Sequence, residues 1–272
     1  MSTGWTTTSL AEKIPEQASR RGLGPLQRFL ENESLGLRVE WEFSLRKGWL
    51  EVRTRGEDGA AFLNFLQDKF GEIPGSLPRV EKWDTARGYV VSSGRVGFGL
   101  YFDLGVFDPV ARDGLYPLHR MRAQLADGVS KSSREIIEDY GLVDDFPVTI
   151  RVIGVENEKI SVELSDETLQ LFASWNRLPF DRVVAVGVSS SEAEIALKAA
   201  KLWFDVIRVE PLSMFTQCLV CKIGTDAPGV VAKLGSRLPG VRLAPVRAHS
   251  PIKFAKSGPG PRNQRSRDTS SF

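Results

Sequence analysis

The chain has 272 residues, of which 42% are hydrophobic and 26% charged, an ordinary balance for a globular protein long enough for two or three cores. A net charge of +2 is too mild to announce a nucleic-acid partner by itself, and two cysteines cannot frame a disulfide-stapled secreted fold. The longest apolar runs, such as RVVAVGV at 182–188, are strand-sized and far short of a membrane span.

The opening MSTGWTTTSLAEKIPEQ lacks a charged start and an apolar stretch, so no export signal and a reducing, cytoplasmic setting are expected. A first unit runs to residue 76. Residues 4–12 can supply an edge strand, and EQASRRGLGPLQRFLENES reads as a helix with weak spots at Gly22, Gly24 and Pro25. LRVEWEFSL and WLEVRTR alternate with period two around RKG, a hairpin signal. EDGAAFLNFLQDKFG follows as an amphipathic helix stopped by Gly71. The order is β-α-β-β-α, and EIPGSLP is a turn-rich linker.

A second unit spans 80–168. TARGYVVSS, FGLYFDLGV and GLYPLHRM are three strand candidates in quick succession. The helix SSREIIEDYGLV follows, with Ser132 or Ser133 placed to cap it, and then the strands VTIRVIGVE and KISVELS. Five short strands with a helix between the third and fourth predict an OB-type barrel. DETLQLFASWNRLP reads as a connecting helix. The third unit, 181–248, has the order β-α-β-β-α-β, a split-βαβ, ferredoxin-like pattern. Its helix starts are marked by Ser189–Ser191 and by Asp226 with Pro228. From residue 250 to 272 the composition turns basic and rich in proline, and a disordered tail is expected.

GRVGFGLYFDLGV at 94–106 carries the functional signal. Gly88, YVV, FGLYFDLG and GLYPLH occur in the order of the S1 domain, which this stretch resembles; that family is an OB-fold RNA-binding module. The resemblance covers about a third of the chain. It implies that Phe98 and Tyr101 are stacking platforms for RNA bases, and that Glu156 and Lys159 lie on the same face. Each base–ring contact of this kind is worth about 1–3 kcal/mol. Strict alternation puts residues 98 and 101 on opposite faces, so a bulge near Gly99 is required. The family's strand-three histidine falls at Pro117, and His119 stands two residues late. Arg87, Arg95, Arg112, Arg120 and Arg122 cluster around the same barrel in sequence, as a phosphate-tracking patch would.

The whole chain is similar to an uncharacterised archaeal family built around an S1-like domain. In module order it is also similar to the alpha subunit of archaeal and eukaryotic translation initiation factor two. The expected fold is therefore α+β, a central S1-like OB barrel flanked by two ferredoxin-like units. The expected function is non-enzymatic RNA binding, with ribosomal RNA or a ribosomal subunit as partner and no cofactor, metal or membrane. Two other readings stand beside it. One is a protein–protein scaffold or homodimer, and the other an ACT-like sensor of a small anionic metabolite at TDAPG, 225–229. Cys218 and Cys221, three apart on one strand, point to opposite faces and read as buried fillers rather than metal ligands.

Overall fold

A computed structural model of the chain describes residues 4–94 and 97–248. The first unit contains β1 (Thr6–Lys13), α1 (Glu16–Arg21), α2 (Gly24–Glu33), β2 (Glu40–Arg46), β3 (Trp49–Arg55), α3 (Gly59–Phe70) and the short β4 (Gly75–Ser76). The run expected as one helix from Glu16 breaks into α1 and α2 at Gly22, whose φ of 104° is open to glycine at little cost. Pro25 then sits in the first turn of α2, where no intrahelical N–H is needed. β2 and β3 close over Lys47 and Gly48, both at positive φ as a two-residue hairpin turn requires.

The sheet of this unit has the order β1-β3-β2, all antiparallel. A ferredoxin-like unit would need a fourth strand beside β1. Here that position holds a single bridge, Leu10 to Glu72. The chain then leaves, and β4 pairs in parallel with a strand of the next unit. The ferredoxin-like expectation for this unit is thus reduced to a three-stranded sheet with helices on it.

The central unit contains β5 (Thr85–Val91), β6 (Gly99–Asp108), β7 (Arg112–Pro117), α4 (Leu118–Leu125), α5 (Ser133–Tyr140), β8 (Pro147–Glu156), β9 (Lys159–Leu164) and α6 (Asp166–Arg177). The order β6-β5-β8-β9-β7 returns to β6 through the β6–β7 pairing, which closes a five-stranded barrel. Only β7–β9 runs parallel among the five pairings of the barrel, an arrangement compatible with the OB fold. Inward residues Leu100, Phe102, Leu104, Tyr116, Ile150 and Val162 fill the barrel. Ser132 caps α5 in a reciprocal box with Glu135.

The third unit contains β10 (Arg182–Val186), α7 (Ser190–Ala199), β11 (Val206–Ser213), β12 (Thr216–Cys221), α8 (Ala227–Gly235) and β13 (Arg242–Val246). Its antiparallel sheet has the order β11-β12-β10-β13. One face, with Val184, Val186, Cys218 and Val220, joins the core of the central unit. The other, with Val183, Ala185, Leu219 and Cys221, packs under α7 and α8. That is why every residue of β10 and β12 is buried. Each valine so covered contributes about 1.5–3 kcal/mol of burial, so the docking of this unit is hydrophobic and extensive. The basic tail lies outside the described residues. No helix among the described residues is long and apolar enough to cross a membrane.

Candidate nucleic-acid interface on the barrel

Along β6 the burial alternates. Leu100, Phe102 and Leu104 are sealed in the barrel, whereas Tyr101 and Asp103 are half-buried on its outer side. Pairing places Tyr101 opposite Leu115 of β7, and Leu115 opposite Ser161 of β9. The outer wall therefore carries a low-charge row, Tyr101–Leu115–Ser161, across three strands. Phe98 precedes β6 and is 83% exposed. Its carbonyl accepts the Leu118 amide at 2.8 Å, which ties it to the start of α4. The exposed His119 follows directly. Phe98, Tyr101 and His119 thus share one end of the barrel.

One expectation about this end needs correction. GLYPLHRM is not one strand: β7 stops at Pro117 and α4 begins at Leu118. Proline has no N–H to extend a ladder, and Met121 and Leu125 bury an i, i+4 stripe once the chain coils. His119 is therefore on a helix rather than a strand. Gly99 is bare because of its neighbours in the barrel. A Cβ built there would lie 2.2 Å from the Tyr116 carbonyl oxygen, so the crossing of β7 excludes any side chain. Gly97, with nothing within 4 Å, is the glycine that lies open beside Phe98.

Among the described residues, the arginines of the patch read from the sequence each have a partner within the chain. Arg120, in the first turn of α4, pairs with Glu163 at 2.6 Å. Arg122 donates from Nε to the Lys131 carbonyl at 2.7 Å. Arg112 pairs with Glu158. Arg87 donates to the Leu212 carbonyl of the third unit and lies 5.9 Å from the centre of the Tyr89 ring. Arg95 lies outside the described residues. Glu156 and Lys159, both exposed, flank the β8–β9 turn. Gly114 pairs with Ile160, which puts Lys159 beside Asp113, four residues from Pro117 along β7. At the strand rise that is about 13 Å from the Phe98 end, while Lys159 shares the outer face of Ser161, two residues along β9.

The charges that sequence reasoning missed sit where the units meet. Glu12 and Lys13 are neighbours at the end of β1 and serve opposite sides of it. Glu12, 4% exposed, accepts the Met214 amide at 2.9 Å and faces the Tyr89 hydroxyl at 3.4 Å. Burial pushes its carboxyl above the usual range, against the pull of Arg87 and of the surrounding donors. Burial and the nearby Glu12 push the Tyr89 phenol upward as well. Lys13 lies 2.9 Å from Asp103 and 3.6 Å from Asp145, and Arg242 lies 3.5 Å from Asp145. Trp49 donates to Asp103 at 3.1 Å. The Asp103 half of the β6 outer face is therefore covered by the first unit. The open face contracts to the Tyr101 end.

Two other sequence features resolve locally. Cys218 and Cys221 project to opposite faces of the third sheet, and burial pushes both thiols up to about 12. At TDAPG, the Gly229 amide donates to Asp226 at 2.8 Å and the Ala227 amide to Asp181 at 3.0 Å. The first-turn amides that could greet an anion are taken by the chain's own carboxylates.

Family models match residues 7–76 as the DUF2110 N-terminal domain, 80–176 as the DUF2110 central domain, and 180–246 as the DUF2110 C-terminal domain. The chain belongs to the DUF2110 family. Its three matched segments correspond to the sheet-and-helix unit, the barrel with α6, and the third unit. No curated protein matches the chain.

Proposed function

We propose that this DUF2110 protein binds RNA without catalysing a reaction, through the end of an S1-like OB barrel that carries Phe98 and Tyr101. The exposed Phe98 carries the reading: a large ring held in water at 83% exposure, beside the open Gly97 and against the start of α4. An aromatic side chain kept in water has no packing role, and it suits an unstacked base. Tyr101 and Leu115 extend the platform, and His119 adds a further flat ring. Unstacked bases occur in the loops and bulges of structured RNA, which favours ribosomal RNA and a role in translation. Fluorescence anisotropy with a labelled single-stranded RNA at fixed salt is the test. Phe98→Ala with Tyr101→Ala is expected to weaken binding at least tenfold while circular dichroism stays unchanged. Equal affinity for the wild type and the double variant would remove the barrel end from the reading.

A second reading, a protein–protein scaffold, is favoured by Trp203, Phe204, Ile207 and Ile223. These are exposed by 50%, 83%, 54% and 66% around the start of edge strand β11. Sedimentation velocity over a wide concentration range distinguishes it. Self-association that survives nuclease and 0.5 M salt (about the level that weakens phosphate contacts) supports the scaffold, and a monomer at every concentration argues against a homodimer.

A further inference from the structure

The three units line an open cleft of about 670 Å³, inside the range of roughly 300–1,000 Å³ typical of small-molecule sites. The first unit contributes Glu12, Lys69 and Phe70, the barrel contributes Arg87, and the third unit contributes Ser191 and Ser213. We propose that this cleft binds a small organic molecule bearing an oxyanion, a phosphate or a carboxylate, whose charged group is met by Lys69 and Arg87.

The wall chemistry carries the assignment. Arg87 donates to the Leu212 carbonyl and to the Tyr89 hydroxyl, and a guanidinium has five N–H groups to give. Lys69 is at the mouth, with its side chain 44% exposed, its ammonium 4.9 Å from the centre of the Phe29 ring and its partner Glu33 at a loose 3.7 Å. That ion pair is long enough to yield to a better anion. Ser213 lines the cleft, and its buried hydroxyl lies beside Glu12 and donates toward that carboxyl. Glu12 is the one acidic group in the lining. Its oxygens face the Met214 amide and the Tyr89 hydroxyl, and burial favours its neutral form. It therefore opposes an anion less than an exposed carboxylate would. Phe29, Phe70 and Met214 offer apolar surface for the rest of the molecule.

A ligand in this place touches all three units and so resists their separation. The site is independent of the barrel end, and its test separates the two. Thermal unfolding of the full chain is followed with inorganic phosphate and, in a second arm, with acetate, each at ionic strength held constant with chloride. A saturable rise of several degrees with either probe is expected, and the arm that responds tells phosphate from carboxylate chemistry. Arg87 also anchors Leu212, so the diagnostic variants are Lys69→Met and Ser213→Ala. Each is expected to raise the half-saturating concentration at least tenfold, with the unliganded transition little changed for Lys69→Met. The Phe98→Ala, Tyr101→Ala variant is expected to respond like the wild type. No saturable shift with either probe, or a shift that neither Lys69→Met nor Ser213→Ala alters, overturns the assignment.

Discussion

Arg87 and Phe98 stand eleven residues apart on either side of one barrel loop, and they meet opposite fates. Arg87 is drawn into the junction of the units, where Glu12, Tyr89 and the Leu212 carbonyl use its charge. Phe98 stays in water although it is the type of residue that normally seeks a core. On the RNA-binding proposal, the contrast separates a residue held by its own protein from one offered to a partner. A charged side chain has many ways to be satisfied within its own protein. An exposed ring whose backbone is tied down has a weaker structural reason to be where it is.

The comparison breaks or sharpens first at Arg87. Replacing it with alanine removes the donor to the Leu212 carbonyl and the attraction to Glu12, and a loss of about 1–3 kcal/mol in urea unfolding is expected. Phe98→Ala is expected within about 0.5 kcal/mol of the wild type. Similar losses at the two positions would mean that Phe98 is structural after all.

The next effect is in pH. Burial raises the Glu12 carboxyl above its ordinary value, so the folded chain holds that proton more tightly than the unfolded chain does. The stability this contributes is present below the ordinary carboxylate range and is lost as pH rises through the raised value. Against Glu12→Gln, the wild type is expected to lose up to about 1.4 kcal/mol per pH unit across that window. Melting curves of both proteins at stepped pH provide the check. If the wild type gains on the variant as pH rises, the attraction of Arg87 outweighs the burial.

Arg112→Gln should matter less, by about 0–1 kcal/mol, because its ion pair with Glu158 is at the surface; RNA affinity should also stay within twofold (roughly 0.4 kcal/mol). A loss of RNA binding comparable to that of the ring variant would restore the arginine patch. The smallest effect is expected at Cys218 and Cys221. With both thiols buried and held near 12, a thiol reagent should label them only as fast as the chain opens, and rapid labelling of the native protein would contradict their burial.

Much of the fold was legible in the residues. The barrel strands show as alternating runs bounded by turn residues, and Ser132, Ser189 and Asp226 mark helix starts that the structure retains. What failed had a physical cause in each case. A proline ended β7 and handed His119 to a helix. The fourth strand beside β1 gave way after one bridge because the chain was needed at the barrel. β10 and β12 read as buried strands, but nothing in an all-apolar run says that one of its faces is covered by another unit. The site divided in the same way. The rings were legible because glycine and aromatic residues alternate there in an unusual pattern. The partners of the arginines were not, since an ion pair between residues dozens of positions apart leaves no local trace.

Amide chemical shifts of the isotope-labelled chain, titrated with a short single-stranded RNA at moderate salt, read both regions at once. The expected perturbations fall on Gly97, Phe98, Tyr101, Leu115 and His119, with Arg87, Arg112 and Lys159 left in place. Shifts confined to the Arg112–Lys159 end or the Glu12–Arg87 junction, or no shifts, would contradict RNA binding at the aromatic end of the barrel.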